Sequence, residues 1–388
     1  MRICVVGGRL QGTEATYLAK KAGYGVILID KDSNAPAASL ADEFHVLDIL
    51  KNDNAARKIL NSTDVLLPAT ENKRTLSFLE GLSLQTGIPH MQDNSAFSIS
   101  SDKIKSIEFF DSLNIHYPEP WPNSGFPVVV KPAGKSGSVG IYRADNEEQL
   151  GDALKKSSLI DEKVVVQRFI NGPALSLEII ALDGNPLPLQ ITQLEFDETY
   201  GCKRVFAPDL VNDDVRESFI GMSKKMARGL NLNGLMDAQA IVDNKGIPLM
   251  IEINARLPSQ TPTTVYHSSG INMVGLLVEM FISNKMPHVS IEPKNSVIYQ
   301  HIKVNNGSVI IMGEHIMSEA RNLRIEKDFF GVDEAITNLD VDKSEGVATL
   351  IVKSPSLKEA KRRSMQAIER LMAEFNLTKF LDSSPRGV

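Results

Sequence analysis

The stretch Gly234–Arg256, GLMDAQAIVDNKGIPLMIEINAR, consists of two apolar segments on either side of the turn sequence Asp-Asn-Lys-Gly. This pattern predicts a β-hairpin. If Val242 pairs with Ile247, Asp237 lies directly across from Glu252, and facing residues of an antiparallel pair are about 5 Å apart. The stretch therefore predicts a hairpin on which two carboxylates face each other.

Asn254 lies two residues beyond Glu252 and shares its face of the predicted strand. Like charges this close repel unless a cation lies between them, and carboxylate and amide oxygens suit Mg²⁺. Asp237, Glu252 and Asn254 are therefore candidate metal ligands. Arg256 follows them, where it could stabilise a developing negative charge. The alternative is a surface hairpin with solvated acids, which fits less well with two strands that are otherwise apolar.

The composition narrows the class of function. The chain has 388 residues, of which 42% are hydrophobic and 23% charged, and its net charge is −6. This length suffices for two or three domains, and the charge favours neither a nucleic-acid nor a membrane partner. The cysteines, Cys4 and Cys202, indicate neither a disulfide framework nor a zinc site. The first residues predict a strand and not a signal peptide, and no apolar run is long enough to span a membrane. We therefore expect a cytoplasmic protein.

The chain is predicted to belong to the α/β class and to have three domains. Strands alternate with helices over residues 1–93, which predicts a parallel sheet in a Rossmann-like domain. Residues 94–285 contain the hairpin and form the predicted central domain. A proline-containing stretch around residues 283–295 predicts a boundary, after which residues 286–388 form a small mixed α/β domain.

A glycine turn follows the first predicted strand. Gly7–Gly12, GGRLQG, opens a helix, and Asp30 ends the next strand, as in a dinucleotide-binding fingerprint. Arg9 occupies the position of the second glycine, which would let the backbone approach a pyrophosphate. Nicotinamide binding, and with it an oxidoreductase, is therefore disfavoured. The helix N-terminus could still bind a carboxylate or phosphate, or the glycines could serve only a tight turn.

A second small-residue loop, Ala133–Gly140 (AGKSGSVG), contains Gly-Lys-Ser but is not a P-loop. Val129 stands where the first P-loop glycine would be, and the segment is predicted to run strand–loop–strand. It is better interpreted as a flap whose backbone N–H groups fold over phosphates. Lys131 precedes the flap, and Lys103 lies in the predicted helix upstream, where each could contact a phosphate. Either lysine alone would more often be a surface residue.

The order of these elements resembles that of the ATP-grasp ligases over residues 1–285. The resembling parts are the Rossmann-like front, the helix with Lys103, the strand with Lys131, the flap, the hinge before Gly172 and the acidic hairpin. Within that family, parts of the chain are similar to a ligase that joins 3-methyl-D-ornithine to L-lysine. These parts are Val5–Gly12, Ala41–Phe44, Pro68–Asn72 and Ile99–Lys103.

The resemblance implies a Rossmann-like pre-ATP-grasp domain, a central ATP-grasp domain and a role for each matching residue. The ATP phosphates would be held and covered by Lys103, Lys131, Ser136, Gly137, Ser138, Val139 and Gly140. The adenine would contact Gln167, Arg168, Phe169 and Ile170. Two Mg²⁺ ions, with Mn²⁺ as a substitute, would be bound by Asp237, Glu252 and Asn254. Amino-acid substrates would contact Leu10, Gln11, Glu178 and Arg256. Arg256 would also be catalytic, because it would steady the transferring phosphoryl group and the tetrahedral intermediate.

The sequence departs from the family pattern at the adenine hinge. Many relatives carry acids where this chain has Gln167 and Arg168, and Ala174 replaces an acid that often contacts the ribose. Gln167 can still accept a hydrogen bond from the adenine amine. The ribose contact is therefore left unassigned.

The implied reaction is ATP-dependent amide formation between small-molecule amino acids. The γ-phosphoryl group moves to a carboxylate, an amine attacks the acyl phosphate, and ADP and phosphate leave. For the ligase that the chain resembles, these groups are the carboxylate of (3R)-3-methyl-D-ornithine and the ε-amine of L-lysine. Glu178 and His267 are candidate bases for the amine, and a homodimer is compatible with the resemblance. Two alternatives remain open: another ATP-grasp reaction, such as a carboxylase-like or purine-pathway enzyme, and a non-enzymatic nucleotide-binding regulator.

Overall fold

The computed structural model describes residues 1–208, 210–305, 307–340 and 345–385. Within these ranges the strands form three sheets, one parallel and two antiparallel for most of their pairs, with helices packed against them. The predicted α/β class is therefore confirmed.

The N-terminal unit is built on a parallel sheet in the strand order β3-β2-β1-β4. Its core contains the alternating apolar residues of buried strands and one face of the first helix. The elements up to residue 112 are β1 (Arg2–Val6), α1 (Leu10–Lys21), β2 (Gly25–Asp30), β3 (Glu43–Val46), α2 (Asp53–Leu60), β4 (Val65–Pro68), α3 (Lys73–Thr86), α4 (Asn94–Ser100) and α5 (Lys103–Ser112). Helix α1 begins at Leu10, within the predicted Gly7–Gly12 turn, so Leu10 and Gln11 lie in its first turn.

Close packing of the glycine turn explains why two of its positions require glycine. Gly7 has φ of +107°, and a Cβ atom on Gly12 would lie 2.0 Å from the carbonyl oxygen of Gly7. Since the obstacle is backbone, it cannot move aside as a side-chain end would. The glycines thus allow α1 to start directly against the end of β1.

We expect Gly12→Ala to lower the free energy of unfolding by at least about 1–3 kcal/mol, the usual cost of overpacking. The matched control is Gly81→Ala in α3, where an added Cβ atom would meet nothing within 4 Å. This control substitution should stabilise the protein by roughly 0.5–1 kcal/mol, because alanine has the higher helix propensity. Urea unfolding of both variants measures the difference. Equal effects of the two substitutions would contradict the packing explanation.

The flap belongs to a small antiparallel sheet in the order β6-β5-β7. Its elements are β5 (Val128–Pro132), β6 (Tyr142–Ala144), α6 (Glu147–Ser158) and β7 (Val164–Arg168). The loop between β5 and β6 is the predicted flap, and we define the flap as residues 133–141. The predicted strand–loop–strand arrangement is confirmed.

The largest sheet follows the order β12-β11-β8-β9-β10-β13-β17-β16-β15, with β14 and β18 attached at β13. Its elements are β8 (Ala174–Leu182), β9 (Asn185–Phe196), β10 (Cys202–Ala207), α7 (Asp213–Gly229), β11 (Gly234–Val242), β12 (Pro248–Asn254), α8 (Thr261–Ser269), α9 (Met273–Ser283), β13 (Ser296–Asn305), β14 (Ser308–Ile311), α10 (His315–Ser318), β15 (Arg324–Lys327), β16 (Glu334–Thr337), β17 (Gly346–Ser354), α11 (Leu357–Glu374) and β18 (Lys379–Asp382). Because β10 pairs with β13, the sheet continues past the proposed boundary at residue 286.

The acidic hairpin forms as β11 and β12, but the predicted register is wrong. Asp237 lies opposite Asn254, and Glu252 lies opposite Gln239. The pairing is already displaced by one position at the turn, where Val242 pairs with Pro248, and a bulge between Gln239 and Ala240 displaces it by one more, because β12 has one extra residue there. The shift moves Glu252 away from a direct pair with Asp237, while all three candidate ligands remain on the same end of the hairpin.

Across the described ranges, no single helix has both the length and the apolar character needed to cross a membrane. Helices α8 and α9 meet these criteria when taken together, but they are bent by 94° relative to each other. Most of their apolar residues are buried in the protein.

Candidate active site

A cavity of about 780 Å³ lies where the three sheets converge. One wall is the carboxyl-terminal edge of the parallel sheet, the region where ligands bind in open α/β folds. The second wall is the flap, and the third is the end of the acidic hairpin with the start of α8. The cavity is therefore bounded by segments far apart in the sequence.

Many of the predicted site residues line this cavity. They are Leu10, Gln11, Ser136, Gly137, Ser138, Asp237, Glu252, Asn254 and Arg256. A smaller cavity, of about 10 Å³, is lined by Lys103, Gln167 and Glu252 together with apolar residues. Glu252 lines both cavities, and it therefore lies between the predicted adenine hinge and the large cavity.

The remaining predicted residues line neither cavity in the part of the chain that the structure describes. They are Lys131, Val139, Gly140, Arg168, Phe169, Ile170 and Glu178. At the hinge, the backbone N–H groups of Arg168 and Phe169 donate to Glu119 O and Pro127 O. The Gln167 side chain donates to Pro118 O at 3.3 Å, and the Arg143 guanidinium lies 4.4 Å from the centre of the Phe169 ring. The hinge thus packs against residues 118–127.

Asp237 is almost fully buried at the centre of the hairpin site. Its oxygens accept hydrogen bonds from Ser176 Oγ at 2.6 Å, Gln239 Nε2 at 2.8 Å and Asn254 Nδ2 at 3.3 Å. Burial raises the pKa of Asp237, while the bond from Ser176 and the charge of Arg256 act in the opposite direction. All the hydrogen-bond donors around this carboxylate are neutral groups.

Glu178 lies beside Asp237, since β8 and β11 pair these two residues directly. Its side chain is completely buried, and Oε2 has no hydrogen-bond partner among the described residues. Burial, followed by repulsion from Asp237, raises the pKa of Glu178 to about 8. Ser176 Oγ is 3.1 Å from Glu178 and 2.6 Å from Asp237. A hydroxyl has a single proton, so both contacts are satisfied together when Glu178 is protonated and donates to the serine oxygen.

The raised pKa of Glu178 predicts how stability depends on pH in the presence of a chelator. An acid whose pKa rises on folding, here from 4.5 to about 8, stabilises the folded state below the lower value and loses that contribution as pH rises through the higher one. We expect the free energy of unfolding to fall by several kcal/mol between these pH values. Glu178→Gln should flatten the profile in denaturant titrations at a series of pH values. A variant with the wild-type slope would contradict this assignment.

The two candidate phosphate lysines lie close to each other. Lys131 is buried on β5, and burial, with the nearby charge of Lys103, lowers the pKa of Lys131 to about 8. Lys103 is the first residue of α5, where its ammonium donates to Lys135 O at 2.5 Å and lies 3.9 Å from Glu252. Two neighbouring ammonium groups with a single partly paired acid provide an electrostatic site for an anionic ligand.

Glu71 is a site residue that the sequence analysis missed. It lies in the loop after β4, lines the large cavity, and accepts hydrogen bonds from Gln11, Ser136 and Arg256. Its segment, Pro68–Asn72, was noted only as part of a family likeness. The position itself was informative, because loops after parallel strands converge on one edge of the sheet.

Other expectations about titratable residues are changed by the structure. His267, a candidate base, does not line the cavity in the described chain; its Nε2 is 2.7 Å from the hydroxyl of Tyr17. Burial lowers the pKa of His267 to about 4. Asp30 accepts from the backbone N–H groups of Gly8 and Asp32, so its carboxylate is already engaged within the turn.

The donor set of the hairpin fits a hard divalent cation. Among the described residues, no group of three or more His, Cys, Asp and Glu side chains could hold a metal by itself. Asp237 and Glu252 do supply two carboxylates, with Asn254 beside them. The buried oxygen of Glu178 behind Asp237 has no hydrogen-bond partner among the described residues. Mg²⁺ in proteins is commonly bound by one or two carboxylates, and the end of the hairpin supplies two.

The fold is shared with solved structures of several enzymes. The biotin carboxylase domain of the Hydrogenobacter thermophilus 2-oxoglutarate carboxylase aligns with a TM-score of 0.73 and 17% identity, covering 95% of this chain and 89% of that one. The L-amino acid ligase from Bacillus licheniformis aligns with a TM-score of 0.69 and 16% identity, covering 95% and 97%. At these identities the similarity shows the fold alone.

The sequence comparisons are more specific. Residues 119–284 match the family model described as D-ala D-ala ligase C-terminus. The 3-methyl-D-ornithine–L-lysine ligase of Methanosarcina acetivorans is 36% identical over 319 residues, which cover 81% of this chain and 84% of that protein. The enzyme of the same name from Methanosarcina barkeri is 36% identical over 317 residues, with the same coverage. The resemblance to ATP-grasp ligases is thereby confirmed, and the chain belongs to the 3-methyl-D-ornithine–L-lysine ligase family.

Proposed function

We propose that this protein is an ATP-dependent ligase that joins the carboxylate of 3-methyl-D-ornithine to the ε-amine of L-lysine. The observation that carries the proposal is the single cavity on which the first turn of α1, the flap and the acidic hairpin converge. Family membership supports the choice of substrates, since the relatives that are 36% identical bear the name of this reaction. The biotin carboxylase structures that would favour the carboxylase-like alternative are 15–17% identical.

The chain's own residues supply the electrostatics of phosphoryl transfer. Lys103 and Lys131 hold the phosphates of ATP, and Arg256 meets the charge that develops on the transferring group. Asp237, Glu252 and Asn254 would hold Mg²⁺, which neutralises phosphate charge when bound. The γ-phosphoryl group moves to the substrate carboxylate, and ADP remains. Arg256 lines the large cavity and Lys103 the small one, with Glu252 between them, which supports a transferring phosphoryl group near Arg256.

Amide formation requires an amine and the exclusion of water. The amine nitrogen attacks the acyl phosphate, phosphate leaves, and one proton is released from nitrogen. Glu178 is too enclosed to touch a ligand in the cavity, and a role in substrate binding would act through Asp237. Leu10 and Gln11 line the cavity at the N-terminus of α1, where unpaired N–H groups attract a carboxylate.

The finer features of this proposal concern the metal, the assembly and the compartment. Two Mg²⁺ ions are proposed, which Asp237, Glu252 and Asn254 would hold and which would neutralise phosphate charge, and Mn²⁺ is proposed as a substitute because it shares the preference for oxygen ligands. A homodimer is proposed on the basis of the family likeness. The cytoplasm is the proposed site of action, since the reaction consumes ATP.

Mass spectrometry of the protein with MgATP, L-lysine and 3-methyl-D-ornithine tests the proposal directly. We expect a product whose mass is the sum of the two amino acids less one water, with an equal amount of ADP. ADP without the amide would refute this pair of substrates. ADP formed with bicarbonate as the only acceptor would favour a carboxylase-like reaction instead. Folded protein that yields neither ADP nor amide would favour a nucleotide-binding regulator.

A further inference from the structure

Glu71 accepts hydrogen bonds from three separate parts of the chain. Its Oε2 accepts from the Ser136 hydroxyl at 2.6 Å. Its Oε1 accepts from Arg256 Nε at 3.0 Å and from Gln11 Nε2 at 3.1 Å. The donors belong to the flap, the end of the hairpin and the first turn of α1. One carboxylate thus connects all three walls of the large cavity.

The charge on Glu71 strengthens these contacts. Burial acts to raise its pKa, but the charge of Arg256 and the bonds from Ser136, Arg256 and Gln11 outweigh burial and hold the pKa of Glu71 below its usual value. The carboxylate is therefore ionised at neutral pH. Hydrogen bonds to an ionised acceptor are about twice as strong as neutral ones, so Glu71 holds both Arg256 and the flap more firmly than a neutral side chain would.

Two of the other contacts of the flap have a different character. Ser138 Oγ donates to Tyr200 O at 2.6 Å, and Lys103 donates to Lys135 O at 2.5 Å. Each of these contacts uses a main-chain carbonyl. The contact of Ser136 with Glu71, by contrast, leads directly to the guanidinium of Arg256. A movement of the flap away from Glu71 therefore changes the surroundings of the proposed catalytic residue.

We infer that Glu71 is a positioning residue that couples closure of the flap to the placement of Arg256, and that this coupling keeps water from the acyl phosphate. The inference rests on the proposed function, because an acyl phosphate forms only if the enzyme phosphorylates a carboxylate. Glu71 would determine that Arg256 is in place only while the flap is closed, and it would take part in no chemical step itself.

The consequence of losing this coupling follows from the chemistry of the intermediate. In the productive reaction the amine nitrogen bonds to the acyl carbon, the carbon–oxygen bond to phosphate breaks, and the amide forms. If water attacks the same carbon, the original carboxylate and phosphate are regenerated. ATP is then converted to ADP and phosphate without an amide. The ratio of ADP to amide therefore reports directly on closure.

The first experiment measures hydrogen–deuterium exchange of the flap, residues 133–141, in the protein without substrates. We expect Ser136→Ala and Glu71→Ala to accelerate exchange there, and Ser136→Thr, which keeps the hydroxyl, to restore the wild-type rate. Ser158→Ala is the control, because this exposed serine bonds to Leu154 O within α6. Unchanged flap exchange in both alanine variants would overturn the inference, whatever the substrates of the enzyme are.

The second experiment measures ADP and amide together in the same variants. We expect the ratio to be one in the wild type and in Ser136→Thr, and several-fold higher in Ser136→Ala. Glu71→Ala should raise the ratio and also lower kcat by roughly 10²-fold through misplacement of Arg256, with a much smaller change in KM for ATP. Adding Ser136→Ala to Glu71→Ala should raise the ratio no further, because both act through one contact. A ratio of one in every variant, or additive effects in the double variant, would overturn the coupling. Absence of amide from the wild type would instead count against the proposed function.

Discussion

Asp237→Asn is expected to reduce the rate of amide formation by about 10³-fold or more, because it removes a carboxylate at the centre of the candidate metal site. The same substitution should raise the free energy of unfolding in the presence of a chelator. Asp237 is buried beside Glu178, and burial disfavours the charged form of Asp237, so a neutral amide of the same size removes the cost of burying that charge. Activity and stability therefore change in opposite directions, which a merely damaged protein would not show.

Coupled assays of ADP release and thermal unfolding with EDTA measure these two effects. Asp214→Asn is the matched control, since it makes the same chemical change at an exposed position in the first turn of α7. It should leave the rate unchanged. If Asp237→Asn turned over at the wild-type rate, Asp237 would not be a metal ligand. If this variant were less stable than the wild type in EDTA, the buried carboxylate of Asp237 would not destabilise the folded protein.

Arg256→Ala is expected to lower kcat by roughly 10²–10³-fold while KM for ATP changes little, since Arg256 meets charge that appears mainly in the transition state. Arg256→Lys should restore only a small part of the activity. The guanidinium uses Nε to bond to Glu71 at 3.0 Å, and Arg256 lines the large cavity. A lysine ammonium is a compact charge without this planar fork, so it is not equivalent at such a position.

Steady-state kinetics with ATP as the varied substrate test this prediction. Arg362→Lys provides the control, because Arg362 is an exposed residue of α11 whose guanidinium bonds to Glu359. If Arg256→Ala raised KM for ATP and left kcat intact, Arg256 would contribute to ground-state binding, and its catalytic role would be lost.

The sequence was most informative where a local pattern fixes the structure. The glycine turn predicted the strand-to-helix junction at β1 and α1, because few residues other than glycine tolerate that backbone. The apolar segments around Asp243–Gly246 predicted the β11–β12 hairpin. The register could not be predicted, because β11 and β12 are apolar on both faces and therefore lack the alternation of apolar and polar residues that specifies a register. The bulge at Gln239 leaves no recognisable mark in the sequence.

The contacts between units were the least predictable part of the site. Glu71 is a single acid in a short loop, and its three donors lie 60, 65 and 185 positions away along the chain. In the sequence, Glu178 is the one acidic residue of an otherwise mostly apolar strand. The pairing of β8 with β11 places it beside Asp237. Such relations depend on tertiary packing, for which a single sequence carries no local pattern.

The pairing of β10 with β13 has a consequence for protein engineering. A chain severed near residue 290 would yield two fragments that each present an unsatisfied strand, and neither would bury its apolar residues alone. When the two fragments are expressed together, they should associate by pairing β10 of one fragment with β13 of the other. Arg204 and Gln300, whose side chains bond across the junction at 2.9 Å, would set their alignment. The protein thus offers a natural site for a split enzyme whose ligase activity reports on the association of partners fused to its halves.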